Sequence, residues 1–268
     1  MCISKIILVV ILIIFLFDMY WTYENYSILL KDNNLENYYT PFNDEIATHS
    51  ATNGCFKPPS SNNLHMCSVS LGIFVNAIKN NKMDLLPSSA KFVYWKYDKN
   101  PIGLYYLAGD TRCLLFRGTQ TLEDILYDTK TTQTDGIHTG YKKVFSEINF
   151  DCVGRVDIVI GHSMGAALAQ LYGYLKDPSV EVVTFASPRV YSPERLSHAL
   201  AVNPKIYSVI NLADAVCNYP ATYVVKDRTQ YVYATIPPAV VANIPRDNLQ
   251  DCHSMVSYNL LLPVGERP

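Results

Sequence analysis

The chain lacks a surplus of charge of either sign. In 268 residues, 22 Lys and Arg stand against 24 Asp and Glu, for a formal charge of −2. No bulk basic field exists to hold a nucleic-acid backbone, so no nucleic-acid partner is expected. There is no C-x-x-C pair and no H-x-x-x-H spacing, which removes the zinc-site readings; no metal and no organic cofactor is expected. Internal repeats and heptad runs are absent as well. Charged residues are only 17 % against 49 % apolar, which excludes a chain disordered throughout, and the 12 Gly and 15 Pro are scattered, which excludes collagen.

What is present starts with an apolar run at residues 6–17, preceded by Lys5 and followed by Asp18. As a helix it covers about 18 Å, and even residues 3–21 cover only about 28 Å of a roughly 30 Å hydrocarbon layer. The length suits a secretory h-region, yet no small-x-small pair follows for a signal peptidase. Residues 1–21 are therefore read as a signal peptide or an uncleaved signal-anchor, with membrane attachment through residues 3–21 in the second case. Either way the bulk of the chain lies outside the cytoplasm, secreted or anchored. Setting Cys2 aside, six cysteines remain (Cys55, Cys67, Cys113, Cys152, Cys217 and Cys252), an even number that allows full pairing in an oxidising compartment. Some can instead be small buried hydrophobes, Cys113 above all, since it sits in an apolar strand pattern. Asn25-Tyr26-Ser27 is a glycosylation sequon.

Residues 22–62 are rich in Asn, Tyr, Ser and Thr, show no sustained period and read as a tether. Residues 63–268 read as one catalytic-size domain. Val69, Leu71, Phe74, Val75 and Ile78 recur at helical intervals over residues 64–78. Three aromatic and aliphatic runs at 91–97, 102–108 and 111–116 read as an antiparallel entry to a sheet. Thereafter helix and strand alternate: helix 141–148, strand 156–160, helix 164–176, strand 181–185, helix 193–201, strand 206–212. Alternation of this kind predicts an α/β fold, a mostly parallel sheet with helices on both faces.

Gly161-His162-Ser163-Met164-Gly165 stands between the apolar strand and a small-residue helix. That context is what a nucleophile elbow requires: a turn so tight that the serine is strained and its flanking positions lack bulk, which presents the hydroxyl to the open. A serine needs a base and an orienting carboxylate. His49, His65 and His138 precede the serine, and His162 lies inside the elbow, where it reads as a hydrogen-bonding support. Of the two remaining, His198 is within a helix and His253 follows the last sheet strand, so His253 is the candidate base. Asp214 alone follows an apolar strand at the edge where parallel sheets present catalytic side chains. The tetrahedral oxyanion needs donors as well; Met164 N–H supplies one, and the Phe116-Arg117-Gly118-Thr119 loop supplies the second through Thr119.

Taken together these residues resemble the class 3 lipases, a family of secreted fungal triacylglycerol lipases, feruloyl esterases and plant phospholipases A1. The resemblance runs through Phe116-Arg117-Gly118-Thr119, Asp124 and Asp128, Ile137-His138-Thr139-Gly140-Tyr141, the elbow, Thr184-Phe185-Ala186-Ser187-Pro188-Arg189, Asp214-Ala215-Val216, Tyr219-Pro220 and His253. It implies the α/β-hydrolase fold, Ser163, Asp214 and His253 as catalytic residues, Thr119 as the second oxyanion donor, and a lid over about residues 120–130 with Leu122, Ile125, Leu126 and Tyr127 on its apolar face. The implied substrate is a lipid ester at a membrane or lipid-droplet interface: triacylglycerol first, a phospholipid or soluble ester as alternatives, with a catalytically silent binding protein as the contrasting class. Met164 and Ala166 replace the family's usual Leu and Gly. Cys217, where the family has proline, and Cys252 beside His253 are not family features, and a Cys217–Cys252 disulfide clamping the acid and base loops is expected.

Overall fold

The computed structural model describes residues 59–96, 99–119, 128, 130–220, 222–224, 230–242, 252–255 and 258. The targeting segment, nearly all of the tether, Cys55, and lid residues Leu122, Ile125, Leu126 and Tyr127 lie outside the described residues. No helix among the described residues is long and apolar enough to cross a membrane.

Helix α1, Leu64–Lys79, starts where the Asn63 side chain accepts the Met66 N–H at 3.1 Å, satisfying one of the donors a helix leaves open. Three antiparallel strands follow: β1 (Lys91–Trp95), β2 (Pro101–Ala108) and β3 (Thr111–Phe116). A small ladder, β4 (Gln133–Thr134) with β5 (Ile137–His138), leads into α2 (Thr139–Ser146), and β6 (Ile148–Asn149) closes the edge beside β1. Then come β7 (Ile158–His162), α3 (Met164–Leu171) running on as a π-helical turn Tyr172–Lys176, β8 (Glu181–Phe185), α4 (Pro193–Val202) and β9 (Ile206–Asn211). A hairpin of β10 (Thr222–Val224) and β11 (Gln230–Val232) precedes β12 (Pro238–Ala242), which pairs with β9.

Among the described residues the main sheet has eight strands in the order β12-β9-β8-β7-β3-β2-β1-β6, parallel from β12 to β3 and antiparallel beyond. This is the expected mixed sheet of an α/β-hydrolase-like fold, entry included. The β4–β5 ladder, β6, the β10–β11 hairpin and β12 were not expected.

The strands read as continuous apolar runs because both faces are covered. Leu114, Phe116, Val159 and Val182 join the core cluster built on Ala167, Leu168 and Leu171 of α3. Their strand neighbours Cys113, Leu115, Ile158, Ile160 and Val183, equally buried, face the other way, and α1 packs on the same strands. Cys113 is thus a small core hydrophobe. The parallel strands share one direction, so the C-terminal ends of β3, β7, β8, β9 and β12 lie at one edge of the sheet. Thr119, Ser163 and Asp214 follow β3, β7 and β9 at that edge.

Candidate active site

Ser163 follows β7 immediately, with φ 56° and ψ −126°, a conformation that L residues rarely adopt. The packing explains why the turn is so sharp. A Cβ on Gly161 would come within 2.1 Å of the Gly165 carbonyl oxygen, and one on Gly165 within 2.3 Å of the Phe116 carbonyl oxygen. Only hydrogen fits at either place. The chain is pinned further by Ser163 N–H donating to Phe185 O at 3.0 Å, so the serine is fixed from the neighbouring strand β8.

The three side chains picked from the sequence meet. His253 Nε2 lies 2.8 Å from Ser163 Oγ, and His253 Nδ1 lies 2.8 Å from Asp214 Oδ2. The Asp214 side chain is 1 % exposed while that of His253 is 30 % exposed, so the carboxylate is shut in and the imidazole reaches from it toward the site. Ser163 itself is buried at 8 % exposed. The elbow therefore does not present its hydroxyl to the open, because the Gly118 loop and His253 lean over it.

Each member is held by its own contacts. Asp214 Oδ1 accepts the Val216 N–H at 2.9 Å, capping the short 3-10 turn Ala215–Asn218. Oδ2 accepts the Tyr258 hydroxyl at 2.8 Å as well as His253. Burial raises the Tyr258 phenol far above its ordinary range, with Cys217 and Asp214 adding to the effect, so it stays a donor. His162 Nε2 donates to the His253 carbonyl at 2.6 Å, and Asn211 Nδ2 donates to the Cys252 carbonyl at 3.2 Å, so two side chains grip the backbone under the imidazole. Burial, then the neighbouring His253, push the His162 ring down to about 3. It is neutral, and its Nε2 keeps the proton that the carbonyl requires. His162 is thus the support expected of it.

The candidate oxyanion side is built by the loop after β3. A Cβ on Gly118 would lie 3.1 Å from both Ser163 Cβ and His162 Nδ1, so the loop backbone rests on the elbow. Thr119 Oγ1 donates to Asp128 Oδ2 at 2.6 Å. Met164 opens α3, where backbone N–H groups lack intrahelical acceptors. Neither Thr119 N–H nor Met164 N–H is matched to an acceptor among the described residues. Below Asp128, His138 stacks on Tyr141 at 3.9 Å, and burial pushes its ring down to about 3.

One expectation fails. Cys217 is a free thiol, as are Cys67, Cys113 and Cys152, so the Cys217–Cys252 disulfide is not formed and the cysteines are not fully paired. The reason is local: Cys217 is buried within the 3-10 turn with its Sγ 3.4 Å from the Tyr258 hydroxyl, packed beside the acid. Burial pushes that thiol up to about 12. Sequence reasoning missed Tyr258 and Asn211, for no motif spacing ties either to the acid. Among the described residues no cluster of His, Cys, Asp and Glu could hold a metal.

The family model described as lipase (class 3) matches residues 142–224, which contain Ser163 and Asp214. That stretch is what the chain shares with the class 3 lipase model. The match stops short of His253 and Thr119, which the fold brings to the same edge. Among solved structures, a lipase from Rhizopus microsporus var. chinensis is 15 % identical with a TM-score of 0.50, over 78 % of this chain and 92 % of that one. Lipase II from Rhizopus niveus is 16 % identical (TM-score 0.46; 60 % and 76 % covered), and the Rhizomucor miehei lipase–propeptide complex is 16 % identical (TM-score 0.46; 76 % and 78 % covered). At such identities the likeness is one of fold. No curated protein sequence matches the chain.

Proposed function

We propose that the chain hydrolyses lipid esters through a covalent acyl-enzyme, with triacylglycerol as its first substrate. The observation that carries this reading is the unbroken relay Ser163 Oγ, His253 Nε2, His253 Nδ1 and Asp214 Oδ2, with 2.8 Å at each joint. Ser163 Oγ attacks the ester carbonyl carbon as His253 Nε2 takes its proton. Asp214 holds the imidazole in the Nδ1–H tautomer and stabilises the cation that forms. Thr119 N–H and Met164 N–H receive the oxyanion, each donor being worth about 3–4 kcal/mol of barrier. The intermediate collapses by breaking the bond to the alcohol oxygen, which leaves with the proton from His253. Water, deprotonated by the same imidazole, then attacks the acyl carbon and frees the fatty acid and Ser163.

No step needs a metal or an organic cofactor. The apolar lid segment expected from the sequence supports a lipid interface as the place of action. The targeting pattern of residues 3–21 supports a catalytic body outside the cytoplasm.

The test compares wild type and Ser163→Ala on a short-chain ester, emulsified triacylglycerol and phosphatidylcholine. Wild type should turn over the emulsion fastest and the variant should lose at least about 10⁴-fold on every substrate. Turnover that persists in the variant would remove Ser163 as nucleophile, and faster phosphatidylcholine turnover would replace the substrate with a phospholipid.

A further inference from the structure

Arg117 has none of its surface exposed. Burying a guanidinium costs several kcal/mol unless its donors are met, so the groups it meets indicate what it is kept for. Its Nε donates to the Pro101 carbonyl at 2.8 Å, one Nη donates to the Gly118 carbonyl at 2.7 Å, and its backbone N–H donates to Ile102 O at 3.0 Å. The side chain therefore ties the start of β2 to the peptide that joins Gly118 to Thr119. That peptide is trans, as are all described bonds except Tyr219–Pro220. A trans peptide points its C=O and N–H in opposite senses. Whatever grips the Gly118 carbonyl therefore also sets the direction of the Thr119 N–H.

The other side of this loop is the elbow. Gly118 rests against Ser163 and His162, and the carbonyl oxygens of Phe116 and Arg117 lie where any side chain on Gly165 would have to go. The Thr119 hydroxyl is engaged with Asp128, while its N–H meets no acceptor among the described residues. We propose that Arg117 is a positioning residue for the oxyanion: by holding the Gly118 carbonyl from β2, it aims the Thr119 N–H at the carbonyl oxygen of the reacting ester. The inference rests on the serine-hydrolase reading above. A lysine cannot replace it, because one ammonium lacks the planar fork whose separate nitrogens serve Pro101 O and Gly118 O at once.

The experiment measures wild type, Arg117→Lys and Arg117→Met on a carboxylic ester and on the matching thionoester, in which sulfur replaces the carbonyl oxygen. Sulfur is a larger and weaker acceptor, so an aimed N–H helps the thionoester little. Arg117→Met should lose about 10²-fold in kcat on the oxygen ester with KM nearly unchanged, and far less on the thionoester, so that the oxygen-to-sulfur preference collapses. Arg117→Lys should fall between the two. Should Arg117→Met not fold, Arg117→Lys decides by itself, since it keeps the charge and loses the fork. Equal losses on both substrates, or a wild-type preference in Arg117→Lys, would overturn the proposal. An inactive wild type or an active Ser163→Ala would instead remove the reading beneath it.

Discussion

The Tyr258 hydroxyl donates to the same Asp214 oxygen, Oδ2, that faces His253 Nδ1, and both contacts measure 2.8 Å. Tyr258 in turn accepts the Asn211 N–H at 3.1 Å, so the acid is fastened to the end of β9 through a phenol that is fully buried. A carboxylate shut away from water needs every such donor. The orientation of His253 thus depends on a residue that does not touch the serine.

Tyr258→Phe removes this donor while keeping the ring. It should lower kcat about tenfold and stability by about 1.5–3 kcal/mol, because the carboxylate and the Asn211 N–H are both left short of a partner. Steady-state kinetics and urea titration check both figures. Wild-type values for the two would show that the phenol is idle.

The elbow glycines allow a second check. Gly165→Ala places a Cβ 2.3 Å from the Phe116 carbonyl oxygen, backbone that cannot step aside, and should cost at least about 3 kcal/mol or prevent folding. The strained serine gives the opposite sign. Ser163→Gly should be more stable than Ser163→Ala by about 1 kcal/mol, since glycine alone tolerates φ 56° without strain. Both variants should be inactive. Equal melting temperatures for the two would mean that the elbow stores no strain.

His138 and His162 set a pH dependence of stability. Each is pushed by burial to about 3 in the folded chain, against an ordinary 6.5 unfolded. The unfolded state then binds more protons between about pH 3 and 6.5, so the stabilisation is complete above about 6.5 and is lost as pH falls through that window. Urea midpoints measured from pH 7 to 5 should fall, with the slope of stability against pH approaching two protons. His162→Asn should reduce that slope by about one proton. A wild-type midpoint that stays flat from pH 7 to 5 would contradict the neutral, buried state of both rings.

Cys217 gives a chemical prediction. A buried thiol raised to about 12 is neither nucleophilic nor accessible. Iodoacetamide at pH 8 should leave it unmodified in the folded protein and alkylate it after unfolding without reductant. Peptide mapping that finds Cys217 in a disulfide would restore the discarded clamp.

Much of the fold and the site was legible in the sequence because local pattern and global role coincide there. Val156-Asp157-Ile158-Val159-Ile160 running into Gly161-His162-Ser163 can hardly be anything but strand, elbow and helix, and chain order together with place after a sheet strand then singles out Asp214 and His253. The strand at 238–242 was not legible: it is five residues long and opens on Pro238, which reads as a breaker, and only pairing with β9 makes it a strand. The disulfide was misread because nearness of Cys217 and Cys252 to site residues along the chain says nothing about where their Cβ atoms point. Arg117 was legible as part of a motif, yet its work is done through the Pro101 and Gly118 carbonyls, contacts that no spacing rule encodes.

The central claim is that Ser163 is a nucleophile activated by His253. The measurement that tests it most directly is labelling of the folded protein with a fluorophosphonate, followed by intact-mass and peptide analysis. One adduct on Ser163, strongly slowed in His253→Ala, is the predicted result. An unlabelled protein, or an adduct on any residue other than Ser163, would contradict it.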